Sequence, residues 1–153
     1  MSNKIIITGS RLLSTSIENA YEKLISPAEQ VKWNTLYLEA SVEPKGEIKD
    51  GTIMTGNFKG SGKAIVTFQN VKPNQEFTHY SIMKMFNFIT LGEFHHTYQL
   101  AEKNGQTEFT QTVSFEPKGF GIILKNVIVN SFKKRLPESF DEFQKYLNTT
   151  KAV

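Results

Sequence analysis

Between Phe115 and Leu147 the chain reads FEPKGFGIILKNVIVNSFKKRLPESFDEFQKYL, and this stretch limits the possible fold more than any other. It starts as the end of a strand, turns through Pro117 and Gly119, and then carries apolar residues at helical spacing almost to the C-terminus. Most of what precedes it reads as strand. A long helix that follows six or seven strands needs a sheet to lie on, and a sheet that curls around a helix leaves space between the two. The pattern describes a container and leaves its contents open.

Taken in order, Lys4 to Leu13 is rich in Ile and Leu and reads as a first strand despite Gly9. Thr15 is expected to cap a helix, with Glu18 as the return half of a capping box. Ile17, Ala20, Tyr21, Leu24 and Ile25 then share one helical face. Ser26, Pro27 and Glu29 repeat the start signal at once, so a second short helix is expected, ending near Trp33. From Leu36 the period becomes alternating. Strands are expected at Leu36–Glu43, Thr52–Phe58, Gly62–Val71, Glu76–Met83, Glu93–Ala101 and Thr107–Phe115, joined by short turns and therefore antiparallel. The last helix is expected from about Phe120, turning Leu124, Val127, Ile128, Phe132, Leu136, Phe140, Phe143 and Leu147 towards the sheet. Pro137 interrupts this pattern and predicts a kink or break.

The turns sort to two ends of such a meander. PKGEIKD (Pro44 to Asp50), KPNQ (Lys72 to Gln75) and EKNGQ (Glu102 to Gln106) are polar and solvated. NFKGSG (Asn57 to Gly62), KMFNFITLG (Lys84 to Gly92) and PKGFG (Pro117 to Gly121) mix glycine with Phe86, Phe88, Ile89, Leu91 and Phe120. Apolar tips mark a mouth, a partner surface or a lipid-facing edge, unless they fold over one another as core. Phe86, Phe88, Leu91 and Phe120 are the expected mouth.

The composition excludes several classes. At 153 residues, with 39% hydrophobic and 22% charged residues, the chain is expected to form one domain spanning its whole length. The net charge of +3 is spread thinly, with Lys133 to Arg135 the only basic run, so nucleic acid is not an expected partner. That run is expected to be solvated, with transient contact to an anionic membrane as the sharper alternative. The chain has no cysteine, which removes disulfides, thiolate metal sites and cysteine nucleophiles. The short apolar run in MSNKIIITGS leads us to expect no leader, no transmembrane segment is expected, and the cytoplasm is the expected location. The 12 Phe residues suit either a thick core or an aromatic-lined cavity.

Two stretches carry a family resemblance. RLLSTSIENAYEKLISPAEQVKW is similar to the opening of the START-like (SRPBCC) superfamily: strand, capped helix, Ser-Pro and Trp. The closing stretch from Phe115 to Leu147 resembles that superfamily's strand, Pro-x-Gly turn and long helix, and the chain looks most like the polyketide cyclase/dehydrase group. The resemblance implies an α+β helix-grip fold: a curved antiparallel sheet of about seven strands around a long C-terminal helix, with two short helices after the first strand. It implies a cavity for a small hydrophobic molecule. No shared catalytic motif comes with it.

Alternation assigns candidate lining residues. His96 shares a face with Phe94 and Tyr98, His79 with Phe77, and Gln111 with Phe109 and Val113. The expected ligand wall comprises Phe58, Phe77, His79, Phe94, His96, Tyr98, Phe109, Gln111, Val113, Leu124 and Ile128. An inward His beside an inward Tyr also makes His96, Tyr98 and His79 candidates for acid–base chemistry, the alternative being hydrogen-bonded core polar groups. Two inward histidines without a third ligand fall short of a zinc site, so neither a metal nor a cofactor is expected. Asn126 and Asn130 face either the cavity or water. Trp33 and Tyr37 are read as packing where helices meet sheet, with ligand stacking as the alternative. A homodimer through the apolar tips is a further expectation.

Overall fold

Each alternating segment of the sequence becomes a strand of one antiparallel sheet. The computed structural model describes residues 3–151. In chain order these form β1 (Ile5–Leu13), α1 (Ile17–Ile25), α2 (Pro27–Trp33), β2 (Tyr37–Glu43), β3 (Ile53–Phe58), β4 (Gly62–Lys72), β5 (Glu76–Met85), β6 (Ile89–Lys103), β7 (Gln106–Pro117) and α3 (Phe120–Lys151). The seven strands lie in the order β1-β7-β6-β5-β4-β3-β2. β2 to β7 make a meander, and β1 closes against β7. The architecture is the expected α+β helix-grip arrangement.

Ser26 is shared by both short helices. It ends α1, and its hydroxyl accepts from the Glu29 amide to begin α2 behind Pro27. α1 starts one residue later than its capping signal suggested. Ser16, not Thr15, is the N-cap and accepts from the Asn19 amide, while Thr15 accepts from the Asn19 side chain. The two hydroxyls compete for one site, and spacing alone does not separate them.

Two apolar clusters hold α3 to the sheet. The larger joins Leu13, Leu24, Trp33, Met54, Phe68, Phe77, Phe109, Phe140, Phe143 and Leu147, tying the second half of α3 to α1, α2 and the sheet. The smaller joins Leu91, Phe94, Val113, Phe115, Ile128 and Val129 beneath the first half. Each fully buried Phe contributes roughly 1.5–3 kcal/mol. Gly9 marks a close approach: a Cβ there would lie 2.9 Å from the Phe140 ring and 3.0 Å from Leu136. The missing side chain lets α3 settle on β1.

Several expectations change. Pro137 does not break α3, which continues from Phe120 to Lys151. Leu136 and Phe140 are buried on either side of it, and their packing offsets the lost backbone hydrogen bond. Val127 points to solvent with 70% of its surface exposed, and Asn126 and Asn130 are exposed too. β5 and β6 run further than their alternation suggested, because Phe86 and Asn87 adopt positive φ (53° and 64°) and close a tight turn between paired Met85 and Ile89. No helix among the described residues is long and apolar enough to cross a membrane.

Candidate functional site

Where the two clusters part, a cavity of about 730 Å³ remains between the sheet and α3. Sheet curvature opens it, and large side chains on both sides keep α3 from collapsing into it. Phe58, Val66, Met83, Phe94, Val113, Phe132 and Leu136 supply apolar wall. His79, Ser81, His96, Tyr98, Gln111, Arg135 and Ser139 supply polar atoms. Lys59 and Ser61 of the β3–β4 turn, Lys63 at the start of β4, Lys84 near the end of β5 and Asn87 of the β5–β6 turn also border the space and place its rim at that end of the sheet.

Strand register brings the polar candidates together in pairs. His79 lies directly across from His96, and Tyr98 across from Gln111. The Tyr98 ring is stacked between Phe77 at 4.6 Å and Phe109 at 6.0 Å, centroid to centroid. Phe132 reaches down from α3 to within 4.8 Å of the Phe94 ring and 5.5 Å of the His96 ring.

Burial decides the charge states. Desolvation lowers His79 from 6.5 to about 3 and His96 to about 4, with the neighbouring His96 adding to the shift at His79 and His95 to that at His96. His79 Nε2 is buried without a hydrogen-bond partner. Burial also pushes the hydroxyls of Tyr37 and Tyr98 well above the ordinary tyrosine value. At neutral pH the imidazoles are therefore uncharged and the phenols protonated. No Asp or Glu is among the lining residues.

Of the residues expected at a ligand wall, the structure brings seven to this cavity. Phe58, His79, Phe94, His96, Tyr98, Gln111 and Val113 line the cavity. Phe77 and Phe109 do not; they lie in the larger cluster and support Tyr98 from either side. Leu124 and Ile128 pack in the smaller cluster, and α3 instead presents Phe132, Arg135, Leu136 and Ser139 to the space. At the expected mouth, Phe86, Phe88 and Phe120 are exposed by 74%, 75% and 56%. Leu91 is buried, because a bulge opposite Met83 and Lys84 inserts it as an extra residue and turns it inward. Among the described residues no three His, Cys, Asp or Glu side chains converge as a metal site would need.

Arg135 belongs to the site although its sequence context reads as a solvated basic run. Its guanidinium donates to both Glu142 oxygens at 2.9 and 2.7 Å and to Asn34 Oδ1 at 2.8 Å, while Nε is buried without a partner. Glu142 also accepts from the Thr35 hydroxyl and amide. This network ties α3 to the junction of α2 and β2. The only available signal was position: Arg135 precedes buried Leu136 by one residue and lies one turn from inward Phe132. Tyr37 was expected as packing, and it does pack edge-on against Phe58 at 4.8 Å, but it also lines the cavity. Trp33 packs on Phe143.

No family model matches the sequence, and no curated protein matches it. Solved structures do. A Mesorhizobium loti protein, MLL2253, superposes with a TM-score of 0.76 at 15% identity, covering 95% of this chain and 98% of its own. The Thalictrum flavum norcoclaurine synthase, a point mutant in complex with a transition-state analogue, gives 0.73 at 13% identity over 99% and 98%. The di-domain ARO/CYC protein StfQ of the steffimycin biosynthetic pathway gives 0.75 at 7% identity, over 98% of this chain and 53% of that one. The fold is the helix-grip fold that these structures share.

Proposed function

We propose that the protein binds one small, largely apolar molecule in the cavity between the sheet and α3, for carriage or sensing. The observation that carries this reading is the cavity itself. Its volume of about 730 Å³ falls in the range of roughly 300–1,000 Å³ typical of small-molecule sites. Apolar walls with a few grouped polar atoms suit a ligand that is greasy along its length and has a carbonyl or hydroxyl at one point. Tyr98, Gln111 and Ser139 offer donors and acceptors for that point, and the neutral imidazoles of His79 and His96 add to them without placing a charge in the cavity.

A second reading, a cyclase or dehydratase acting through His96 or Tyr98, is favoured by the alignment of these groups on one wall. The enzymes among the fold neighbours add to it. Basicity weighs against it. An imidazole whose conjugate acid has a pKa of about 4 is a weak general base at neutral pH, where a value near 7 serves proton transfer best. No carboxylate among the lining residues supplies an alternative.

Native mass spectrometry of freshly expressed protein tests the binding reading. A small molecule retained in stoichiometric amount, or displaced by an apolar fluorescent dye, is the expected result. Absence of any retained mass together with failure to take up the dye would overturn it. Turnover of an enolisable polyketide that stops in His96→Ala would establish the second reading instead.

A further inference from the structure

Three segments meet at the rim end of the sheet: residues 57–63, 84–92 and 117–127. The backbone joins the last two of them. The Lys118 amide donates to the Leu91 carbonyl at 2.9 Å, so the first turn of α3 is seated beside the β5–β6 hairpin. This end carries exposed apolar side chains out of proportion to the rest of the surface. Phe86 and Phe88 project from the hairpin, and Phe120, Ile123 and Val127 are exposed by 56%, 76% and 70% on α3. The last three recur at i, i+3 and i+7 and share one helical face. They span about 10 Å along the axis.

Charge is distributed just as unevenly. The three segments contain Lys59, Lys63, Lys84, Lys118 and Lys125 and no Asp or Glu. At the opposite end, Lys45, Lys49, Lys72 and Lys103 stand among Glu47, Asp50 and Glu102, and Lys72 pairs with Glu76 at 2.6 Å. Glu93 and Glu116 stand beside the rim on the outer face of the sheet, where Glu93 pairs with Lys118 at 3.1 Å. On its first two turns α3 carries no acid at all, and its first acidic residue is Glu138.

We infer that this end docks on the surface of an anionic lipid bilayer. Aromatic and aliphatic side chains on a hairpin tip and one helical face suit insertion by about 5–10 Å into the headgroup and acyl boundary. Lys118 is paired with Glu93, but Lys59, Lys63, Lys84 and Lys125 form no ion pair among the described residues and suit anionic headgroups, at about fivefold in affinity per lysine near the surface. A second copy of the chain would bring two lysine-rich ends together, and charge disfavours that occupant. Docking would also place the cavity rim against the lipid. The inference rests on the exposed end alone and is independent of what the cavity holds.

The test is flotation of the whole protein with vesicles of phosphatidylcholine mixed with phosphatidylserine, against phosphatidylcholine alone, at low and high salt. Binding to the mixed vesicles, weakened by salt, is expected. Phe88→Ser combined with Ile123→Ser should weaken it at least about tenfold, and Lys125→Glu by about fivefold or more. These side chains are exposed and do not line the cavity, and circular dichroism confirms that each variant is folded. Lack of binding to either vesicle would overturn the inference. So would equal, salt-insensitive binding to both, or undiminished binding by the folded double variant. Concentration-dependent mass abolished by Phe88→Ser, without vesicle binding, would assign the surface to a second copy instead.

Discussion

Arg135 and Glu142 form a two-pronged ion pair across the part of α3 that contains Pro137. The proline leaves the Lys133 carbonyl without its helical donor, and the pair supports the helix over that gap while reaching Asn34 and Thr35 on the neighbouring junction. Burial works against the charged carboxyl, but hydrogen bonds from Arg135 and Thr35 outweigh it and hold Glu142 at about 2. Glu142→Gln should therefore lower unfolding stability by about 1–3 kcal/mol at neutral pH. Because the folded pKa lies below the unfolded value of 4.5, this contribution is complete above 4.5 and is lost as pH falls towards 2. Urea denaturation of both proteins across that range should show the difference shrinking with acid. A constant difference would contradict the assignment.

His79 and His96 predict a second acid limb at higher pH. Unfolded, each binds a proton near 6.5; folded, they resist protonation down to about 3 and about 4. Between these values the unfolded state holds more protons, so stability falls as pH falls from about 6.5. His79→Phe should flatten this limb. It should also stabilise the protein by about 1 kcal/mol at neutral pH, since it removes a buried nitrogen that has no partner. Unchanged pH dependence in the variant would place the proton uptake elsewhere.

Gly121→Ala should destabilise by about 3 kcal/mol or prevent folding, because an added Cβ would stand 1.6 Å from the Leu91 carbonyl oxygen. The start of α3 would have to lift off β6. Gly119→Ala serves as a contrast: its Cβ would meet only the Thr90 carbonyl, at 3.4 Å, so its cost should come mainly from the positive φ of 54°. Equal unfolding midpoints for Gly121→Ala and wild type would show that α3 does not dock this closely.

Phe94→Asp or Val113→Asp should abolish uptake of an apolar dye, a loss of at least about tenfold in affinity, by placing a carboxylate in the cavity wall. Phe77→Leu should lower stability by about 1–3 kcal/mol while leaving uptake measurable, since Phe77 packs behind the wall. Fluorescence titration distinguishes the two. Dye binding untouched by Val113→Asp would move the site away from this cavity.

The order of elements, the antiparallel meander, the face carried by each strand and the two-ended sorting of the turns were all legible in the sequence. They depend on periodicities of two and 3.6 and on local turn and cap chemistry, which neighbouring residues determine among themselves. Seven of the expected wall positions, including His79, His96, Tyr98 and Gln111, follow from alternation alone and do line the cavity. What alternation cannot supply is depth. Phe77 and Phe109 share a face with wall residues but sit where α3 closes down on the sheet, and Leu91 turns inward only because a bulge adds one residue to β6. Only the tertiary structure decided which of four residues in the run from Phe132 to Arg135 faces the cavity, and it chose both ends of the run. A helix in contact on one side presents the arc its docking angle selects, and that angle is set by Gly9 and Gly121, far apart in sequence. The C-terminal stretch thus specified a helix that closes a container, and the place where that helix touches down decided the container's shape.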